Sequence, residues 1–413
     1  MKVVGIVAEY NPFHNGHQYQ LNKVKEETGA DYIIIAMSGN YLQRGVPALC
    51  DKFIRTEMAL KCGADLVLEI PTIWATASAE YYAHAGVSLL AATGVVTHIA
   101  FGAETDDLDS LLEVSSILKN EPDVYRAVLA NSIRSGNSFP VARKNALITS
   151  LPNFSEEKLD ELLNTPNNIL ALEYLKAIPD SIQPILIKRE GAGYHDTEMN
   201  TDLPSASAIR RSIFDTDAGL NFEELKKAMP QESYTLLKKA YECNQLITTN
   251  DFSDSLGYRL LSQNHTSFAT YADCTQDFSN KIKNHLNDYV FFEDFVDTLK
   301  TKDMTYTRIS RCLLHILLDI KQSDYTIGRA IGYASYLRIL GFKKASSALL
   351  SKMKRSTDTP IISKVADAEI VLDYETNKFF DKDIFASNLY YQHVARKSGA
   401  KPKNEFTSQI IIL

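Results

Sequence analysis

Residues 3–20 read VVGIVAEYNPFHNGHQYQ, and the order of that stretch decides the fold. Residues 3–10 form a short apolar run rich in β-branched side chains, the composition of a buried strand. Asn11-Pro12 interrupts it: proline disfavours helix at the residue before it and fixes its own φ, so the chain must turn. Gly16 allows close backbone approach to a ligand. The continuation QYQLNKVKEETG has helical character, which puts His14 and His17 at or near a helix N-terminus. Orphan amides and the positive dipole end make such a terminus an anion site, and two imidazoles there can donate to phosphate oxygens as charge develops. The plain alternative is a pair of surface histidines in an ordinary strand-to-helix turn.

Working outward, further strands are expected at Tyr32–Ser38, Asp65–Pro71, His98–Gly102 and Pro184–Lys188. Three of the spacings are close to 30 residues, the length of a βα unit, so the class is α/β: a Rossmann-like parallel sheet with crossover helices. A mostly helical insertion is expected over about 106–178. Residues 1–215 then form a catalytic domain and 216–413 a mainly helical one, in which FEELKKAM, SYTLLKKAYE, TRISRCLLHILLDI and SYLRILGF carry helical periodicity. A possible strand at Ala368–Leu372 precedes an aromatic helix near FASNLYYQHVARK. A chain of 413 residues accommodates two or three such units.

With 44 basic and 51 acidic side chains the net charge is −7, which excludes non-specific coating of nucleic acid but not a local basic grip. Five scattered cysteines without C-x-x-C spacing support neither a disulfide framework nor a thiolate zinc site, and no zinc-like ligand spacing occurs elsewhere. No apolar run has membrane-spanning length. The N-terminus reads as a first strand rather than a leader, so the expected compartment is the cytoplasm. His84, His98, His265, His285, His315 and His393 read as ordinary core or surface residues.

A second motif follows Pro204: Ser205-Ala206-Ser207-Ala208-Ile209-Arg210, a helix start that either serine can cap while Arg210 lies a turn further on. The pair HNGH and S-x-S-x-x-R resembles the two signatures of the HxGH nucleotidyltransferase superfamily, which transfers nucleotidyl groups from nucleoside triphosphates and releases pyrophosphate. SGNYLQRGVPALCDKFIRTEMALKCGADLVLEIP, FGAE, GNSFPVAR, PNNILALEYLKAI, KREGAGYHD, YTRISRCLLHILL and YLRILGF narrow the match. They resemble the bacterial tRNA(Met) cytidine acetate ligase family.

That resemblance implies an activity in two steps. Acetate attacks the α-phosphate of ATP to give acetyl-adenylate, and the acetyl group passes to N4 of the wobble cytidine of elongator tRNA(Met). It implies that His14, His17, Ser207 and Arg210 are catalytic, with Arg210 clamping the β/γ phosphates. It also implies that Val7, Ala8, Glu9, Tyr10, Asn11, Pro12, Phe13, His14, Asn15, Gly16, His17, Gln18, Tyr19 and Gln20, with Gly102, Asn168 and Arg189, bind ATP. Lys188 is a fallback for Arg189, and Asn167 or Asn168 caps a helix. Magnesium is expected to accompany ATP on phosphates and water, with no protein ligands legible.

In the loop after the second strand, Asn40 and Gln43 are candidates to read a base edge and Arg44 to meet an anion. Asp51, Lys52 and Arg55 are expected to pair with one another. His195 and Asp196 lie adjacent on an extended segment and so point to opposite sides, which disfavours them as an acid/base pair. For RNA, candidate cations are Lys343, Lys344, Lys352, Lys354 and Arg355; Arg396, Lys397, Lys401 and Lys403; and Arg134, Arg143 and Lys144. Tyr390 and Tyr391 are candidates to stack bases. Two other readings stay open: an adenylyltransferase acting on a small phosphate, and a non-catalytic RNA-binding protein that retains the fold.

Overall fold

The structure, a computed structural model, describes residues 1–189, 204–214, 221–301 and 304–413. Its centre is one eight-stranded sheet. The strands are β1 (Val3–Ala8), β2 (Tyr32–Ser38), β3 (Leu66–Ile70), β4 (His98–Ala103), β5 (Gln183–Lys188), β6 (Leu337–Phe342), β7 (Ile361–Ile362) and β8 (Ile411–Ile412). The order is β5-β4-β1-β2-β3-β6-β7, with β8 paired to β6. Strands β1 to β5 run parallel; β1 to β4 are buried chiefly through Val, Ile, Leu and Ala, as a sheet covered on both faces requires, and β5 is a half-buried edge strand. Their positions match the five expected from the sequence. Between β4 and β5 stand five helices, Leu108–Asn120, Asp123–Arg134, Phe139–Ser150, Glu156–Asn164 and Pro166–Ala177.

One element departs from the helical reading of the second half. Residues 337–342 of SYLRILGF form β6, antiparallel to β3. A six-residue apolar run does not distinguish a buried strand from a buried helix by periodicity, and here neighbours decide it. Gly341 lies so close to Ile411 and to the Thr56 methyl that a Cβ would stand 2.8 Å from the latter. The sheet therefore takes strands from both sides of residue 215. Ala368–Val371, read as a possible strand, is a short helix, and the aromatic helix spans Tyr374–Ser398. That helix buries Tyr390 and Tyr391 at 0% and 1% exposure, so neither ring is available to stack a base.

Lys52 and Arg55 do not pair with Asp51. The Lys52 ammonium, 1% exposed, lies 2.8 Å from Glu69 of β3 and 3.0 Å from Glu405, while Arg338 of β6 reaches Glu405 at 2.7 Å. Asp51 instead caps its helix and meets Lys403 at 2.5 Å. This enclosed four-charge cluster ties the C-terminal segment to the middle of the sheet. Replacing Glu405 with Ala leaves two buried cations facing one carboxylate. The expected loss is about 3–5 kcal/mol in urea unfolding, with partial recovery when Arg338→Met is added; a loss under about 1 kcal/mol would show that the cluster does not hold the segment.

Candidate active site

At the carboxyl ends of β1, β2, β4 and β5 lies a cleft of about 240 Å³, the place where open parallel sheets bind ligands. Beyond β1 the chain turns through Tyr10 at φ 48° and a cis Asn11–Pro12 bond into the helix Asn15–Thr28. His14 is its N-cap. The Nδ1 of His14 accepts from the Gly16 amide at 3.0 Å, and the Nδ1 of His17 accepts from the His14 amide at 3.2 Å. The two imidazoles thus complete a capping box between themselves. With each Nδ1 accepting, the proton of each neutral ring sits on Nε2, and both rings present an N–H donor. Their centroids are 3.8 Å apart, and Tyr10 backs His17 edge-on at 4.8 Å. Gly16 has a sharper role than ligand approach: a Cβ there would stand 2.9 Å from the His14 ring carbon, expelling the ring from its capping position.

Burial is the main cause that keeps both rings uncharged. It lowers His14 to about 3, helped by Arg189 and Arg210, and holds His17 well below the ordinary value, helped by His14 and Arg189. On the facing wall, the helix Ala206–Phe214 begins where Ser205 Oγ accepts from the Ala208 amide. Arg210 donates to the Asn11 carbonyl at 2.7 Å and to Ser207 Oγ at 3.1 Å, so it joins the two sequence motifs directly. Gly102 at the end of β4 faces Arg189 after β5; a Cβ at Gly102 would stand 3.3 Å from the arginine Cγ. Lys188 instead pairs with Asp106 at 2.7 Å.

Within the stretch 7–20, the cleft is lined by residues 7–11 and by His14, Gly16, His17, Tyr19 and Gln20. Phe13 is buried beneath it, and Pro12 shapes the turn without reaching the wall. Asn15 and Gln18 point away, donating to the Lys227 and Cys62 carbonyls. Asn168 stands behind the wall, its oxygen accepting from the Glu104 and Thr105 amides and its nitrogen donating to the Glu161 carbonyl. Asn167 lines the cleft in its place, donating to Glu104 at 2.6 Å. Gln43 and Arg44 line the cleft, whereas Asn40 is buried and accepts from the Lys52 amide. His195 and Asp196 lie outside the described residues.

Sequence reasoning missed Tyr82, Phe101 and Tyr174 in the wall. A signal existed for one of them: Asn167, Leu170 and Tyr174 recur at three and four residues, one face of a helix, and all three line the cleft. Among the described residues, no group of three or more His, Cys, Asp or Glu side chains is placed to hold a metal.

Two uncharged imidazoles at a helix start, faced by a serine and an arginine on the helix after the last parallel strand, define a nucleotidyltransferase. The family model described as HIGH Nucleotidyl Transferase matches residues 1–405. A tRNA(Met) cytidine acetate ligase of Thermoanaerobacter sp. (strain X514) is 39% identical over 394 residues, covering 94% of this chain and 95% of its own. Its counterpart from Acetivibrio thermocellus is 34% identical over 417 residues and 100% of both chains. The crystal structure of Thermotoga maritima TmcAL in its apo form I superposes with a TM-score of 0.93 at 31% identity across 100% of both chains, and the form bound with alpha-thio ATP at 0.91. The chain belongs to the tRNA(Met) cytidine acetate ligase family.

The two rings carry a testable titration. Because both are held below the ordinary value of 6.5, protons bind the unfolded chain first as pH falls from there toward 3, so this pair costs stability on acidification. Assigned imidazole C–H resonances of His14 and His17 are expected to stay fixed between pH 8 and 5. A midpoint near 6.5 for either would show that its ring is solvated and charged in use.

Proposed function

We propose that this chain activates acetate with ATP and transfers the acetyl group to N4 of the wobble cytidine of elongator tRNA(Met). The observation that carries the reading is the pair of Nε2–H donors of His14 and His17, which share one cleft with Arg189 and Arg210. An acetate oxygen attacks the α-phosphorus, and the bond to the bridging oxygen breaks. Charge that gathers on the α-phosphate oxygens meets the two imidazole N–H groups, while Arg210, oriented by Ser207, steadies the departing pyrophosphate. Neutral rings suit this work, since they donate without losing a proton and do not depend on pH near neutrality. Gly102 leaves room for the nucleotide against the strand ends, and Arg189 offers it a cation. The alpha-thio ATP held by the Thermotoga maritima relative supports a nucleotide in this cleft.

Magnesium would enter on the triphosphate and its water. Glu9 is the one carboxylate among the described residues lining the cleft, too few to cage the ion, and no step here runs through it. For the RNA, ion pairing sorts the basic clusters. Arg396, Lys397 and Lys403 are matched to Asp254, Asp251 and Asp51, and Lys144 to Asp160. Lys352, Lys354 and Arg355, on the helix Ser347–Ser356, are exposed and face no acid within ion-pair distance among the described residues. They are the favoured grip on the phosphate backbone. No helix among the described residues is long and apolar enough to cross a membrane.

Acetate-dependent ATP–pyrophosphate exchange tests the first step, and its absence with and without tRNA would defeat the reading in favour of a phosphate-bearing substrate. His17→Ala or Arg210→Ala is expected to slow exchange by roughly 10²–10³-fold, the usual effect of removing one transition-state donor. Near-normal rates would remove that side chain from the mechanism. Changing Lys352, Lys354 and Arg355 together to Ala is expected to weaken tRNA binding and flatten its salt dependence, by roughly two to three in the slope of log K against log salt. An unchanged slope would move the RNA grip elsewhere.

A further inference from the structure

We propose that Glu9 receives the exocyclic amino group of the incoming cytosine and takes its proton as the acetyl group is transferred. This inference rests on the acetyl-transfer reading above. Glu9 stands at the end of β1 in a cleft that must admit ATP and acetate, both anions. A carboxylate is a poor neighbour for either anion, so any contact of Glu9 with ATP falls to its backbone, and the side chain calls for a partner that donates hydrogen bonds.

The side chain is held rather than loose. One oxygen accepts from the Gln43 amide at 2.9 Å, and the Glu9 carbonyl accepts from buried Arg55 at 2.7 Å. No cation among the described residues lies within ion-pair distance of the carboxylate, so its charge is not already matched. Tyr82 and Tyr174 stand in the same wall. Burial raises both phenols, and the Glu9 charge adds to it, so they stay protonated beside it.

Cytosine and uracil differ at this edge: cytosine offers an N4 amino donor, uracil an O4 acceptor. A fixed carboxylate accepts from the first and repels the second. The amino group is a weak nucleophile because its lone pair is delocalised into the ring. As N4 attacks the acetyl carbon, the new C–N bond forms and the acyl bond to the AMP phosphate oxygen breaks, that oxygen keeping the electron pair. The surplus N4 proton passes to Glu9 and from there to the released phosphate or water.

Two measurements on the full-length chain separate this role from nucleotide binding: acetate-dependent ATP–pyrophosphate exchange, and single-turnover transfer from preformed acetyl-adenylate to elongator tRNA(Met). Glu9→Gln keeps the shape and the Gln43 contact but not the base. Transfer from saturating acetyl-adenylate is expected to fall by roughly 10²–10³-fold, the range for a lost general base, and by at least about tenfold more than exchange, whatever part Glu9 has in holding ATP. Glu9→Asp is expected to recover part of the transfer rate. Equal losses in both reactions, near-normal transfer by the Gln variant, or no gain from Asp over Gln would each overturn the proposal. Exchange without acetyl transfer by the wild-type chain would instead overturn the acceptor assignment on which it rests.

Discussion

Arg55 is wholly buried, and its guanidinium gathers the carbonyls of Glu9, Ser38, Gly39 and Cys50. A charge in that position is tolerable only because several oxygens at the carboxyl ends of β1 and β2 converge on it. The reverse dependence matters more for the site. Parallel strand ends diverge into loops, and the cation fixes two of those loops against each other from beneath the cleft. Glu9 leaves β1 and the Ser38–Gly39 turn leaves β2 at a spacing that this one side chain sets.

The helical half supports the same loops from outside. Ser233 donates to the Phe13 carbonyl at 2.7 Å, directly under the histidine turn, and Ser310 donates to the Gly45 carbonyl at 2.8 Å. Gly45 has φ 78°, and its α-carbon lies so close to the Arg311 backbone that no side chain would fit. The loop bearing Gln43 and Arg44 is therefore pressed between the cleft and the helix Tyr306–Leu318. Together with β6 and the Lys52–Glu69–Arg338–Glu405 cluster, these contacts make the second half of the chain part of the scaffold of the site.

Much of this was legible in the sequence because the informative features are local. Strand, proline turn and helix start succeed each other within residues 3–20, so β1 and the histidine positions follow from short-range chemistry. The failures concern long-range packing. Whether LRILGF is strand or helix depends on β3 and on Ile411, distant in sequence. Tyr390 and Tyr391 look like base-stacking aromatics until the long helix Tyr374–Ser398 turns them inward. Asn167 and Asn168 are indistinguishable by type, and only the rotation of their helix against Glu104 sends one to the cleft and the other behind it. Lys52 and Arg55 read as partners of Asp51 because the groups they do meet lie on other elements.

The imidazole capping box also changes what an anion meets at the helix start. Ordinarily a phosphate touches the orphan amides themselves. Here two of those amides are spent on Nδ1 atoms, and the far side of each ring offers Nε2–H instead. Each ring works as a relay, polarised by the amide on one side and passing that polarisation outward through a conjugated plane. The helix thereby projects its positive end one ring's breadth beyond its own backbone, and points it in directions chosen by side-chain torsions rather than by the helix axis.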